Sequence, residues 1–302
     1  MDTLDVVTAI ANPIRWQSRA RLYRQFEEQM LDSGVRLTVV ECAYGDRPFE
    51  LADNPHITHV PVRARSLLWV KENLLNIGLS RLTQDWHYAA WIDADIIFRR
   101  SNWATETVHA LQQYDVVQPW SDCYDLGPND EHLQVHRSFC RLAHEGAPIA
   151  SSGYIFAHPG YAWAATRRAL TLLGGLIETA ALGAADHHMA LALVDRVRDS
   201  VPGGISDGYM RALLRWQDRA RQHIAGNIGY VPGSIEHIWH GAKTKRAYVD
   251  RWTTLIRNDF DPGPDLIRNT WGVLELAGNK PQLRLDIDRY FRARDEDSNS
   301  LG

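Results

Sequence analysis

Ala89-Ala90-Trp91-Ile92-Asp93-Ala94-Asp95-Ile96-Ile97-Phe98 is an apolar, β-forming run broken by two acids one residue apart. On a strand, residues i and i+2 project to the same side, so the carboxylates of Asp93 and Asp95 converge on one point. Two carboxylates held together repel, and burying them is unfavourable unless a positive charge joins them. A divalent cation with oxygen ligands meets that need and leaves positions for phosphate oxygens. The alternative is a strand end with two solvated acids at a turn.

Outward from this stretch, the chain reads as alternating strands and helices. Residues 4–10 form a first buried strand, broken by Asn12-Pro13, with Arg15 in the turn. Residues 16–33 carry a helical pattern, with Leu22, Phe26 and Met30 four apart, and Gly34 stops it. Residues 35–42 are a second strand, so strand, helix and strand make a βαβ unit and the sheet begins parallel. A short strand at 57–61 and a helix at 67–82 precede the acidic strand. In such sheets the crevice beyond the carboxyl ends of the strands binds ligands. Asn12, Arg15, Glu41 and the Asp pair are all expected there.

Downstream, a helix near 103–114 and a strand at 115–120 lead to residues 121–150. These read as a long irregular loop rich in polar and aromatic groups, including Asp122, Tyr124, Asp125, His132 and His136. The loop either lines the acceptor side of a site or is a surface insertion. Residues 160–168 lead into a helix ending at Leu173-Gly174-Gly175. Asp186 falls in the first turn of another helix, where the dipole alone would favour it. Residues 202–208 form the clearest linker, 207–224 an Arg-rich helix, and 228–240 two short strands around a turn. A helix from about 281 gives way to a frayed tail at 295–302. These elements predict an α/β fold in one domain over 1–294.

The bulk numbers set limits on function. The chain has 302 residues, 45% apolar and 23% charged, as in a soluble globular protein. No apolar run reaches the ~18–20 residues that span a bilayer, and the acidic start lacks the features of a signal peptide. Cys42, Cys123 and Cys140 have no metal-type spacing and suggest reduced thiols in a cytoplasm. A net charge of −4 exerts no overall pull on nucleic acid, which leaves only local basic patches for that role.

Together, the close carboxylates, a later His240, the basic residues after it and the isolated Asp186 suit the displacement of a nucleoside diphosphate from a sugar. Carboxylate and imidazole hold a cation, cations neutralise the leaving diphosphate, and a separate carboxylate takes the acceptor's proton. Phosphoryl transfer would use a similar clamp, but no Gly-rich phosphate loop is present. His237, three residues before His240, can take its place as ligand. His187 and His188 are adjacent and do not share a helix face.

The chain resembles the metal-dependent glycosyltransferases of the GT-A (Rossmann-like) nucleotide-sugar-binding fold. It resembles β-1,4-galactosyltransferases, polypeptide N-acetylgalactosaminyltransferases and small phage or bacterial relatives. Five pieces over roughly 5–255 carry the likeness: Asn12-Pro13-Ile14-Arg15; Lys71-Glu72-Asn73-Leu74-Leu75-Asn76-Ile77-Gly78; Asp93-Ala94-Asp95; the glycine-punctuated run from Gly160 through Gly174-Gly175 to Gly183-Ala184-Ala185-Asp186; and His240-Gly241 with its basic followers. The resemblance implies a mostly parallel central sheet flanked by helices. By the same resemblance, the nucleotide-binding part is expected over about 1–120 and the acceptor and catalytic part over about 121–294. It implies a donor site of Asn12, Arg15, Glu41, Lys71, Asn73, Asn76, Asp93, Lys243 and Arg246. Asp93, Asp95 and His240 would hold Mn²⁺ or Mg²⁺, and Asp186 would be the base of an inverting transfer. Trp163, Tyr161 and Arg215 would face the acceptor. Two departures stand out: Ala185 replaces an expected Glu, and Gly160 is not part of a Gly-Gly pair. Retaining enzymes of this fold share the acidic motif, so the stereochemistry stays open.

The donor implied is a nucleotide sugar, taken to be a uridine diphosphate hexose. The acceptor is open between a hydroxymethylated base in phage DNA, reached through Arg211, Arg215, Arg219 and Arg221, and a polysaccharide or small molecule. A metal-dependent nucleotidyltransferase and a catalytically inactive binding module are the alternatives of other classes.

Overall fold

The computed structural model describes residues 3–149, 157–241 and 250–298. In chain order it gives β1 (Leu4–Ala11), α1 (Gln17–Asp32), β2 (Arg36–Tyr44), β3 (Thr58–Ala64), α2 (Lys71–Leu79), β4 (Tyr88–Ile92), β5 (Ile96–Phe98) and α3 (Trp103–Leu111). There follow β6 (Val116–Gln118), β7 (Asp122–Leu126), β8 (His132–Arg137), α4 (Phe139–His144), β9 (Ala162–Thr166), α5 (Arg167–Leu173), α6 (Ala185–Leu193) and α7 (Asp207–His223). The last are β10 (Ile228–Tyr230), β11 (Ser234–His237), α8 (Asp250–Arg257), α9 (Pro262–Asp265), β12 (Leu266–Arg268), β13 (Leu274–Leu276) and α10 (Pro281–Ala293).

Seven strands form the central sheet in the order β10-β6-β9-β4-β1-β2-β3. Its pairings are parallel except at β9, which runs antiparallel to both β4 and β6. The α/β fold with a mixed, mostly parallel sheet is therefore as expected. Alternation along β1 explains the layering. Val6 enters one core with Phe26 and Met30 of α1 and Val108 of α3, whereas Val7 enters the other with Leu74 of α2, Leu170 of α5 and Leu213 of α7. A second sheet, ordered β5-β11-β7-β8, stands beside the first.

One glycine explains a close approach. A Cβ on Gly78 would lie 2.4 Å from Val7 Cγ1 and 2.9 Å from Val40 Cγ2, so α2 sits directly on β1 and β2. Gly78→Ala gains helix propensity of about 1 kcal/mol but overpacks stiff β-branched neighbours, at about 1–3 kcal/mol. A clash at 2.4 Å puts the cost in the upper half of that range, so a net destabilisation of about 1–2 kcal/mol is expected in denaturant melts. An unchanged midpoint would refute the tight contact.

Several expectations are corrected. Asp93 and Asp95 do not lie on a strand: they occupy the turn between β4 and β5, which belong to different sheets. Within the span read as an irregular loop lie β7, β8 and α4. β8 is a short edge strand, and its two alternating apolar residues, Leu133 and Val135, are exposed rather than buried, so the polar residues around them dominate the reading. The start of the stretch read as leading into a helix is β9, a central strand of sequence Ala-Trp-Ala-Ala-Thr. Alanine favours helix locally, but these alanines fill a site between β4 and β6 where burial overrides propensity.

The C-terminal tail is not frayed at 295–298. Trp16 gives α1 no side-chain cap. Instead the Asp297 carboxylate accepts from the backbone N–H of Gln17 (2.8 Å) and Ser18 (2.9 Å), capping the helix from 280 residues away. Glu296 is fully buried beside it.

Candidate active site

A cleft of about 220 Å³ opens at the carboxyl ends of β1 and β4, where Ile10, Ile92 and Asp93 line it. Its acids are Glu72, Asp93, Asp95, Asp186 and Glu296, and its cations Arg19, Lys71, Arg251 and Arg294.

The two acids of the central motif face different partners. Asp93 Oδ1 accepts from Lys71 Nζ at 2.9 Å. Its backbone N–H donates to the carbonyl of Tyr161 at 2.8 Å, which fixes the turn against the start of β9. Burial pushes the Asp93 carboxyl up, Lys71 opposes that, and Asp95 adds to it. Asp95 Oδ2 instead lies 3.1 Å from His240 Nε2 and 3.8 Å from His237 Nε2. The local folding reason is strand pairing: β11 runs antiparallel to β5 with His237 opposite Ile96, and Ile238 N–H donates to the Asp95 carbonyl at 2.8 Å.

Asp95, His237 and His240 each present one donor atom, all within 4.8 Å of one another. His237 Nδ1 contacts Asp125 Oδ1 at 2.8 Å, so its Nε2 is the nitrogen turned toward Asp95 and toward His240 Nε2, 3.1 Å away. Three lone-pair donors facing one point fit a divalent cation. His237 thus joins His240 in the set, and Asp93 stands at its edge, engaged by Lys71.

Behind His240, its Nδ1 is 3.8 Å from Glu296 Oε2. Burial alone would raise the Glu296 carboxyl, but Arg19 and Arg294 hold it down at about 2. Their guanidinium groups also lie over the Trp69 ring, at 5.7 and 4.9 Å. The tail at Glu296 therefore forms part of the cleft wall, which the charged C-terminal composition did not reveal.

Asp186 lines the cleft from the first turn of α6, its Oδ1 accepting from His187 N–H at 2.8 Å. Gly160 faces it: a Cβ there would fall 3.1 Å from Asp186 Oδ2 and 3.0 Å from His158 Cε1, so the glycine keeps space open at the carboxylate. Tyr161 and Ala184, both cleft residues, hold left-handed φ of 77° and 83° without being glycine. Such backbone is strained and persists where surrounding structure imposes it.

In fold, the chain is similar to GT-A glycosyltransferases at low identity. No family model and no curated protein matches it. It is 11% identical to a Drosophila β1,4-galactosyltransferase 7 variant in complex with manganese, UDP-Gal and xylobiose, at a TM-score of 0.37 covering 66% of this chain. It spans 62% of that galactosyltransferase chain. A Desulfovibrio desulfuricans protein described as a nucleotide-diphospho-sugar transferase is 11% identical at a TM-score of 0.34, covering 86% of this chain and 96% of that one. The 4-diphosphocytidyl-2C-methyl-D-erythritol synthase of Anaerococcus prevotii is 10% identical at 0.34, covering 77% and 89%. Likeness this distant concerns the path of the chain, and the chemistry has to be argued from the cleft.

Lys71, Asp93, Asp95, Tyr161, Asp186 and His240 meet in the cleft as the sequence suggested. Others do not. Asn12 closes its own turn, accepting from Trp16 N–H at 2.8 Å, and Arg15 is exposed after it. Glu41 lies inside β2 rather than at its end and is engaged by His59 and the Glu50 N–H. Asn73 and Asn76 are staples: Asn73 binds Leu274 N–H and Glu178, and Asn76 binds both the N–H and C=O of Leu176. Trp163 is core, 3% exposed, with its indole N–H on the Pro159 carbonyl. Arg215 is exposed on α7, outside the cleft lining. Lys243 and Arg246 lie outside the described residues.

Glu72, unassigned by the sequence reading beyond its place in the helix motif, is buried in the cleft wall beside Lys71. Burial pushes its carboxyl from an ordinary 4.5 up to about 7, with Lys71 opposing and Asp186 adding. The folded chain then holds this proton more tightly than the unfolded chain. Its contribution to stability is full below pH 4.5 and declines as pH rises to 7. Glu72→Gln removes that slope. Relative to wild type, the variant is expected to gain up to about 3 kcal/mol between pH 4.5 and 8. Denaturant titrations at both pH values test this, and an equal difference at each would refute it.

Proposed function

We propose that this protein is a metal-dependent glycosyltransferase that moves a hexose from a uridine diphosphate sugar to an acceptor hydroxyl. The observation that carries the reading is the Asp95, His237 and His240 donor set at the end of the central strand, with Lys71 on one side and Asp186 lining the same cleft. A cation on that set would supply positive charge to the donor's diphosphate. Two imidazoles with one carboxylate suit Mn²⁺ better than Mg²⁺, which prefers all-oxygen ligands. Lys71 and Arg19, Arg251 and Arg294 add cationic surroundings for the phosphate oxygens. Asp186, in the role of base, takes the proton of the attacking hydroxyl, which an inverting displacement requires.

For the acceptor, a saccharide or small hydroxyl compound fits better than hydroxymethylated DNA. Three of the four arginines of α7 have partners within the chain: Arg219 donates to the Leu173 carbonyl, Arg221 pairs with Asp218, and Arg211 lies 3.9 Å from Asp261, while the exposed Arg215 lies outside the cleft lining. Among the described residues no helix is long and apolar enough to cross a membrane.

Incubation with Mn²⁺ and a panel of UDP- and GDP-sugars is expected to release free nucleoside diphosphate slowly from a UDP-hexose. Pyrophosphate release from a nucleoside triphosphate would make it a nucleotidyltransferase, and binding without turnover an inactive module. A labelled donor offered to oligosaccharide pools and to hydroxymethylated DNA then separates the acceptors.

A further inference from the structure

Asp125 is 3% exposed, in none of the motifs, and not part of the cleft lining. Its carboxylate lies among three side chains from three strands or strand ends. Oδ1 accepts from Tyr161 OH at 3.0 Å and meets His237 Nδ1 at 2.8 Å, and Oδ2 meets His136 Nε2 at 2.7 Å. The arrangement follows from register: β7 and β11 pair in parallel with Asp125 directly opposite His237. A buried carboxylate is tolerated only with hydrogen-bond donors or positive charge around it.

We propose that Asp125 is a positioning residue for the cation site. It fixes His237 as the Nδ1–H tautomer, so that Nε2 keeps its lone pair toward Asp95 and His240, and its negative charge strengthens that nitrogen as a donor to a cation. A carboxylate behind a ligating imidazole does both. Asp125 also holds Tyr161, whose ring stacks on His158 at 4.1 Å and 5° and whose carbonyl receives the Asp93 N–H. One carboxylate therefore sets two walls of the cleft without lining it. This inference rests on the cation reading of the Asp95, His237 and His240 set.

The test is direct binding of Mn²⁺ to the full chain, by calorimetry and by the electron paramagnetic resonance of free Mn²⁺, with no sugar donor present. Asp125→Asn keeps the size and can still accept from His237 and Tyr161, but it removes the charge. It is expected to weaken Mn²⁺ about 10–100-fold with circular dichroism unchanged. Tyr161→Phe removes a bond to the same oxygen and leaves the carboxylate on His237, so its affinity should stay within about threefold of wild type, well short of that loss. An Asp125→Asn affinity within twofold of wild type overturns the proposal, and so does a Tyr161→Phe loss as large as that of Asp125→Asn. If Asp125→Asn does not fold, imidazole ¹⁵N resonances of the wild-type apoprotein decide: a His237 Nδ1–H tautomer supports the proposal and Nε2–H overturns it. Failure of the wild type itself to bind Mn²⁺ would instead remove the cation reading on which this one stands.

Discussion

Asp95→Ala is expected to weaken Mn²⁺ binding by more than ~100-fold, beyond the effect of changing a group behind a ligand, and to abolish metal-dependent release of nucleoside diphosphate. Asp95 brings the negative charge among the three donors. Without it two imidazoles remain, 3.1 Å apart at Nε2, and neither offsets the charge of a divalent cation. Asp93 is a poor substitute because its Oδ1 is held by Lys71 at 2.9 Å and its turn is pinned to Tyr161. The fold should survive, since Asp95 sits in a turn and its side chain is only partly buried. Removing it also relieves one of the charges that push the Asp93 carboxyl up. Calorimetric titration with Mn²⁺ and a nucleoside diphosphate release assay check both halves. Metal-dependent release within tenfold of wild type would mean that the cation sits elsewhere.

The strands of the N-terminal half were legible because β1, β2 and β4 are buried on both faces and read as largely apolar runs. The helical stripe Leu22, Phe26 and Met30 was equally plain. What the sequence hid was structure set by remote partners. β9 is an alanine-rich strand because it is buried between β4 and β6, a placement invisible to local propensity, which favours helix there. β8 is an exposed edge with only Leu133 and Val135 alternating, too short a pattern to stand out in a polar stretch. The acidic motif was found for a reason that proved incomplete. The sequence argument had both carboxylates sharing a strand face, whereas a turn aims Asp93 at Lys71 and Asp95 at two histidines. Choosing between His237 and His240 required the β5–β11 register, which brings both. Asp125 and Glu296 carried no local signal, since one acts through a cross-strand pair and the other through a chain end folded back onto α1. Asn12, Arg15, Glu41, Asn73 and Asn76 were placed in the donor site by strand-end logic and resemblance. All but the exposed Arg15 are consumed by hydrogen bonds that hold turns and segments together.

Asp186→Asn should leave the cation and the donor in place and stop the chemistry. The amide oxygen can still accept from His187 N–H, as Asp186 Oδ1 does at 2.8 Å, so the first turn of α6 keeps its form. The side chain also keeps its size in the space that Gly160 leaves open. Lost is the ability to take a proton, a contribution worth about 10²–10⁴ in rate. The expected signature is a fall of that size in kcat with little change in donor KM or in Mn²⁺ affinity, the pattern of an interaction used in the transition state only. Asp95→Ala should show the reverse order of failure, losing cation binding first. Glu72 supplies the sharpest rival. It is buried in the same cleft, its carboxyl is pushed up to about 7, and that value suits proton transfer near neutral pH. Glu72→Gln and Asp186→Asn measured side by side therefore decide which carboxylate takes the proton. A kcat within threefold of wild type for Asp186→Asn, with a large loss for Glu72→Gln, would move the base from α6 to α2 while leaving the cation site as it stands.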